Sequence, residues 1–169
     1  MNVLSLFDGI SCGQIALERA GVKIDKYYAS EIDNYAIKIT QKNYPDTIQL
    51  GDITQWRSWK IDWSSIDLVI GGSPCQDLSC AGKMAGLTGE RSKLFFEFVE
   101  ILGHCKRFNK KVLFLLENNE SMSSDNKEKM SDYIACDSIK INSNLVSAQN
   151  RARLYWTNIN GGGDSVATR

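Results

Sequence analysis

Cys75 stands in the most chemically suggestive position of this sequence. It follows Pro74 just beyond the apolar run Ile66-Asp67-Leu68-Val69-Ile70, where the chain has to turn. A cysteine that fills a core belongs inside such a run, whereas one at its mouth can reach a ligand. A thiolate there is a nucleophile, provided a neighbour lowers its pKa or activates the substrate. Cys12, Cys80, Cys105 and Cys136 lack that setting and read as small buried hydrophobes. The single histidine, His104, falls within a helical pattern far along the chain and reads as structural, so no Cys-His pair is indicated.

Carboxylates recur at the same kind of place. Asp8-Gly9 follows the first apolar run, Glu31 ends the second, Asp52 follows Gly51 after the third, and Glu117-Asn118 closes a later one. A carboxylate about twenty residues after a glycine-bearing first turn can accept hydrogen bonds from ribose hydroxyls. One on the next strand comes within reach of an adenine amino group. Singly, Glu31 reads as a solvated strand end and Asp52 as a turn-former. Together with the turn Phe7-Asp8-Gly9-Ile10-Ser11-Cys12-Gly13, on successive strands, they favour an adenosine-containing cofactor. That turn lacks the complete GxGxxG pattern, but its glycines let the backbone approach a ligand closely.

The elements that must position these groups follow from periodicity. Strands are predicted over Val3 to Phe7, Tyr27 to Glu31, Thr47 to Leu50, Ile66 to Ile70 and Val112 to Leu116. A helix capped by Ser11 is predicted to run to about Ala20 and stop at Gly21. A second, Asn34 to Asn43, carries Tyr35, Ala36, Ile37 and Ile39 at helical spacing. A third, Lys93 to Cys105, has Phe95, Phe98, Val99 and Leu102 on its apolar side. Ile139 to Ile141 and Leu154 to Trp156 are expected as an antiparallel pair. Alternating strands and helices with near-continuous apolar runs give an α/β class, with a mostly parallel sheet covered on both faces. Ligands then bind beyond the carboxyl ends of the strands, where the candidate groups fall.

The 169 residues suffice for one domain with a sizeable core, expected over 1–160, with a glycine-rich flexible tail over 161–169. Residues 76–92 contain Gly82, Gly86 and Gly89 and little apolar material, and read as a long loop of functional interest. Lys plus Arg equals Asp plus Glu at 20 each, so a nucleic-acid partner must be held by a local basic patch. Five cysteines without a CxxC pair argue against zinc or a disulfide framework. No apolar stretch reaches membrane-spanning length, and the start has no basic region. A soluble cytoplasmic protein without metal or membrane partner is expected, nuclear in a eukaryotic host.

With these residues in view, the chain resembles the cytosine-C5 DNA methyltransferases, especially the animal de novo subgroup and its phage relatives. Val3-Leu4-Ser5-Leu6-Phe7-Asp8-Gly9 is similar to the family's first motif, Ser30-Glu31 to the second and Gly51-Asp52-Ile53 to the third. Gly72-Ser73-Pro74-Cys75-Gln76 matches the proline–cysteine motif and Leu94-Phe95-Phe96-Glu97-Phe98 the helix after the catalytic loop. Glu117-Asn118 matches the glutamate motif and Gln149-Asn150-Arg151-Ala152-Arg153 the glutamine–arginine motif. The resemblance covers about residues 2 to 160 and implies a Rossmann-like S-adenosylmethionine-dependent fold.

The resemblance further implies a covalent bond from Cys75 to C6 of a flipped cytosine in DNA, with Glu117 at N3, Arg153 at O2, and Arg151 on the loop or a phosphate. It places S-adenosylmethionine against Phe7, Asp8, Gly9, Ile10, Ser11, Cys12, Glu31, Ile32, Gly51, Asp52, Ile53, Pro74 and Leu94. Ser73, Gln76, Asn118 and Gln149 would line the substrate side. Asn119 stands where the family usually has valine. No counterpart of the family's target-recognition region or two final motifs is found. The expectation is therefore either a second polypeptide that supplies recognition or a fragment of a longer enzyme. An RNA-directed enzyme of the same family and a non-catalytic accessory module remain as competing readings.

Overall fold

The apolar runs become strands of a single sheet in this computed structural model, which describes residues 1–74 and 93–159. Cys75, Gln76, Cys80 and the expected tail lie outside the described residues. The strands are β1 (Asn2–Leu6), β2 (Lys26–Ser30), β3 (Ile48–Gln49), β4 (Leu68–Gly72), β5 (Leu113–Asn119), β6 (Ser138–Asn142) and β7 (Ala152–Thr157). Their order across the sheet is β3-β2-β1-β4-β5-β7-β6. The ladders from β3 to β5 are parallel. β7 runs antiparallel between β5 and β6. The mostly parallel sheet with an antiparallel C-terminal pair is thus the one expected.

Parallel strands need helical crossovers, which here cover the sheet. The helices are α1 (Cys12–Arg19), α2 (Asn34–Asn43), α3 (Lys93–Phe108) and α4 (Ser124–Ile134). Because strand side chains alternate between faces, β1 feeds two cores. Leu4 and Leu6 pack with Phe95, Phe98 and Ile101 of α3 and with Leu116 and Trp156. Val3 joins Tyr27, Ala29 and Leu68 in a smaller cluster, against which Leu17 of α1 packs.

Several elements depart from the sequence expectations. α2 has the predicted bounds but turns Ala36 and Thr40 inward, leaving Tyr35 79% and Ile39 44% exposed. Thr40 is buried because its hydroxyl donates to Gly9 O at 3.4 Å and to Ser11 Oγ at 3.2 Å, so the first turn calls for a polar group there. Ser11 precedes α1 without capping it through its side chain; its hydroxyl donates to Asp8 instead. Cys12 is exposed rather than buried. β5 extends through Glu117 and Asn118 because β7 pairs along it, and α3 runs three residues further than expected, to Phe108.

Two features had no counterpart in the sequence reading. α4 is mostly polar and buries only Met130 and Ile134, with Ser123 Oγ accepting from the Asn126 N–H at 3.2 Å as its cap. Short 3-10 turns at Ile53–Ser58 and Trp63–Ser65 carry Trp56 and Trp63. Trp56 and Trp63 pack edge-on against His104, whose pKa is lowered by burial and then by Arg107 and Arg57. Among the described residues no helix is long and apolar enough to cross a membrane.

Candidate active site

The first turn is held in a backbone shape that most residues resist. Phe7 and Ser11 have φ of 58° and 61°, and Gly9 has φ of 60°. Only glycine adopts that region without steric cost, so the other two must be held by their surroundings. Asp8 N–H donates to Ser30 O at 3.1 Å. The Asp8 carboxylate accepts from Tyr27 Oη at 2.8 Å and from the Ser11 hydroxyl. Burial and then Asp8 push the Tyr27 phenol well above its ordinary pKa, which keeps it a donor. Asp8 is therefore engaged within the protein, beneath the turn.

Glu31 lies just past β2 and faces this turn. Its Oε2 accepts from Gly9 N–H at 2.8 Å, and its Oε1 from the Ile32 and Asp33 N–H groups at 2.8 and 2.9 Å. Ser30 Oγ donates to Gly51 O at 2.7 Å, linking β2 to the turn before Asp52. Asp52 Oδ1 accepts from Thr54 N–H at 2.8 Å, so it forms the turn that opens the first 3-10 segment. These links bring three strand ends to one cleft of about 180 Å³. Phe7, Ile32, Ile53 and Leu94 give it apolar walls, while Ser30, Glu31, Asp52 and Pro74 complete the lining. Gly9 and Gly51 support the cleft through the bonds just given, whereas Ile10 is 46% exposed.

The second cleft, about 290 Å³, opens at the carboxyl ends of β4 and β5. Gly72, Ser73, Pro74, Glu117, Asn118, Asn119, Arg151 and Arg153 line it. Arg153 Nε meets Glu117 Oε1 at 2.7 Å, and both side chains are more buried than exposed. The pair forms because β7 lies antiparallel beside β5 and sets Asn119 opposite Arg153 and Glu117 opposite Tyr155. Tyr155 is pushed to a higher pKa by burial and then by the Glu117 charge. A Cβ on Gly72 would come within 2.9 Å of Glu117 Oε2, so the absence of a side chain there makes room for the carboxylate.

Asn118 faces the other side of β5 and is 1% exposed. Its Nδ2 donates to Ser73 Oγ at 3.0 Å and Ser73 O at 3.3 Å, which ties β5 to the segment entering Pro74. Asn119 Oδ1 accepts from Ser121 N–H at 3.1 Å. Gln149 sits apart in the β6–β7 connection, its carbonyl accepting from Ser143 Oγ at 2.6 Å, and it does not line the cleft.

Pro74 belongs to both clefts. The two clefts therefore meet at the residue that precedes Cys75. A larger groove of about 540 Å³ lies at the opposite ends of β2 and β3, near Glu18, Lys26 and Tyr44, and gathers none of the strand-end groups. Residue types alone did not single out Gly72, whose part is the space it leaves, or Tyr27, whose hydroxyl was hidden in an apolar strand. Ser30 was legible beside Glu31 but not as a lining residue.

The family described as C-5 cytosine-specific DNA methylase matches residues 1–162. The chain is 32% identical over 167 residues to the orphan methyltransferase M.SPRI of Bacillus phage SPR, covering 92% of this chain and 37% of that protein. It is 39% identical over 122 residues to the Type II methyltransferase M.Eco47II of Escherichia coli, covering 69% of this chain and 27% of that protein. The chain thus spans about a third of the length of these curated relatives. A DNA modification methyltransferase encoded within an Escherichia coli prophage shares the fold, with a TM-score of 0.67 at 24% identity over 93% of this chain and 46% of that one.

Proposed function

This chain belongs to the C-5 cytosine-specific DNA methylase family, and from that premise we propose that it transfers a methyl group from S-adenosylmethionine to C5 of cytosine in DNA. The observation that carries the reading is the meeting of the two clefts at Pro74.

The cofactor suits the first cleft. Apolar side chains of Phe7, Ile32, Ile53 and Leu94 offer flat walls to a purine, and Glu31 and Asp52 offer carboxylate acceptors to ribose and amino donors. When bound, the cofactor supplies an electrophilic methyl on its sulfonium. The protein's own work lies in the second cleft. The Cys75 thiolate adds to C6 of the cytosine, which breaks the ring's aromaticity and turns C5 into an enamine-like nucleophile. After C5 gains the methyl, loss of its proton restores the double bond and expels the Cys75 thiolate. Glu117 holds the proton at N3 while charge builds on the ring, and Arg153 orients Glu117 and reaches O2. Arg151 is left for a phosphate. The base enters this cleft flipped from the duplex, since C6 is otherwise shielded by stacking.

Target recognition belongs, in this reading, to sequence outside these 169 residues, on the same polypeptide or on a second one. The fraction of each curated relative that the chain spans supports this. The test is tritium transfer from labelled S-adenosylmethionine into cytosine-containing duplexes, with transfer RNA in parallel. Little or no transfer is expected from the 169 residues alone; with target recognition supplied in cis or in trans, labelled 5-methylcytosine in DNA, abolished by Cys75→Ser, is expected. Labelling of transfer RNA alone would make this an RNA enzyme, and cofactor binding without any transfer even then would leave an accessory module.

A further inference from the structure

The first cleft is walled by two elements far apart in sequence. Ile53 opens the 3-10 turn after β3, while Leu94 lies in the first turn of α3. Three residues beyond each, the two elements join. Trp56 Nε1–H donates to Glu97 Oε2 at 2.9 Å. Trp56 is 5% exposed, so its ring cannot swing aside. The Arg57 guanidinium lies 4.4 Å from the centroid of that ring. Its Nη1 is 3.9 Å from Glu97 Oε2, and its Nη2 pairs with Glu100 on the next turn of α3. Trp63 closes the opposite edge of Trp56 at a ring separation of 5.8 Å.

We propose that the Trp56–Glu97 hydrogen bond sets the separation of the Ile53 and Leu94 walls, which makes Glu97 a positioning residue for the purine ring of the cofactor. The inference rests on the assignment of this cleft to S-adenosylmethionine. A flat ring between two apolar walls gains dispersion only while both stay in contact, and a gap of 0.5–1 Å already forfeits about a quarter to a half of that attraction. Sequence near Ile53 and Leu94 cannot fix their spacing, because they sit on separate elements that meet only through tertiary packing. A hydrogen bond one turn further along each element can do so. A charged acceptor strengthens the bond, and Arg57 keeps that charge compensated.

The test uses the full 169-residue chain, titrated calorimetrically with S-adenosylhomocysteine and with 5′-methylthioadenosine, well below the melting temperature of every variant. Glu97→Ala and Trp56→Phe each remove the bond and should raise Kd for both ligands roughly tenfold, the order expected for one charge-assisted bond. Glu97→Gln keeps an acceptor oxygen and should stay within about threefold of wild type. Met130→Ala, a core truncation in α4, should lower the melting temperature and leave Kd unchanged. Wild-type Kd in Glu97→Ala or Trp56→Phe would overturn the proposal, as would equal weakening in Met130→Ala, which would reduce the bond to a general stabiliser. Failure of the wild-type chain to bind either nucleoside would instead overturn the cofactor assignment, and this inference with it.

Discussion

Gly71 and Gly72 are adjacent on β4, yet alanine at each should fail in a different way. At Gly72 the new Cβ would sit 2.9 Å from Glu117 Oε2. The oxygen must retreat by about 0.5 Å to regain ordinary contact. It terminates a long, rotatable side chain, so the retreat costs little folding free energy. The unfolded chain also loses some entropy, which offsets part of that cost. Stability should therefore stay within about 1 kcal/mol of wild type. The geometry does not survive, because the carboxylate is bonded to Arg153 Nε at 2.7 Å and both must turn together. Misplacement of a reacting group by about 1 Å costs on the order of a hundredfold, so about half that displacement should lower kcat roughly tenfold. KM for the cofactor should hold, since Gly72 does not line the first cleft. Alanine at Gly71 would instead meet Leu6 O at 2.9 Å and the Phe98 ring at 3.2 Å, neither of which can retreat. That variant should lose about 1–3 kcal/mol by overpacking. Thermal melts, tritium transfer and the NMR shift of the Arg153 Nε–H separate the two. A Gly72→Ala protein with wild-type kcat and an unmoved Arg153 resonance would refute the reasoning.

Two further outcomes follow from groups that are bonded or buried within the fold. Glu31→Gln keeps one acceptor oxygen but sets an amide donor against a backbone N–H, at Gly9 on one side or at Ile32 and Asp33 on the other. Urea melts should show a loss of about 1.5–3 kcal/mol, and a change below about 0.5 kcal/mol would remove Glu31 as the prop of the first turn. Burial raises the Cys105 thiol to about 12, and burial followed by Asp8 raises Tyr27 above its ordinary value of 10.0. Both folded-state values exceed the unfolded ones, so the folded protein holds more protons in alkali. The stabilisation is complete below pH about 9 and fades as pH climbs through 10 toward the folded values. Tyr27→Phe should flatten the upper part of that decline in pH-dependent melts, and an unchanged slope would exclude Tyr27 as its source.

The sheet was legible in the sequence because its strands are apolar on both faces and end in polar punctuation. β1 could be read without knowing its neighbours, although it ends at Leu6 and not at Phe7 as expected. α2 was harder. Its bounds follow from Asp33, which accepts from Tyr35 N–H as the N-cap, but its inward face is chosen by Thr40 and the first turn, a tertiary demand that outranks hydrophobicity. α4 carried too few apolar residues to register, since it buries only Met130 and Ile134. In the candidate site, Glu31, Asp52 and Glu117 were visible as residue types at strand ends, and Arg153 only through the family resemblance. The contact of Arg153 with Glu117 was not, because it depends on the register of β7 against β5. Cys75, the most suggestive residue in sequence, lies outside the described residues.

The contacts beneath the first turn also govern how this protein can change over generations. Asp8 accepts from Tyr27 on one strand and Ser11 at the head of α1, and Ser11 accepts in turn from Thr40 on another helix. Ser11 and Thr40 are fully buried and Tyr27 nearly so. Losing any one of the four removes a hydrogen bond from this network, at about 0.5–1.5 kcal/mol, against a total stability of only about 5–15 kcal/mol for an ordinary domain. Substitutions at positions 8, 11, 27 and 40 should therefore be non-additive, each costing more alone than alongside a matching change in its partner. A chimera that imports this turn from a relative must bring the matching residues on the second strand and second helix with it.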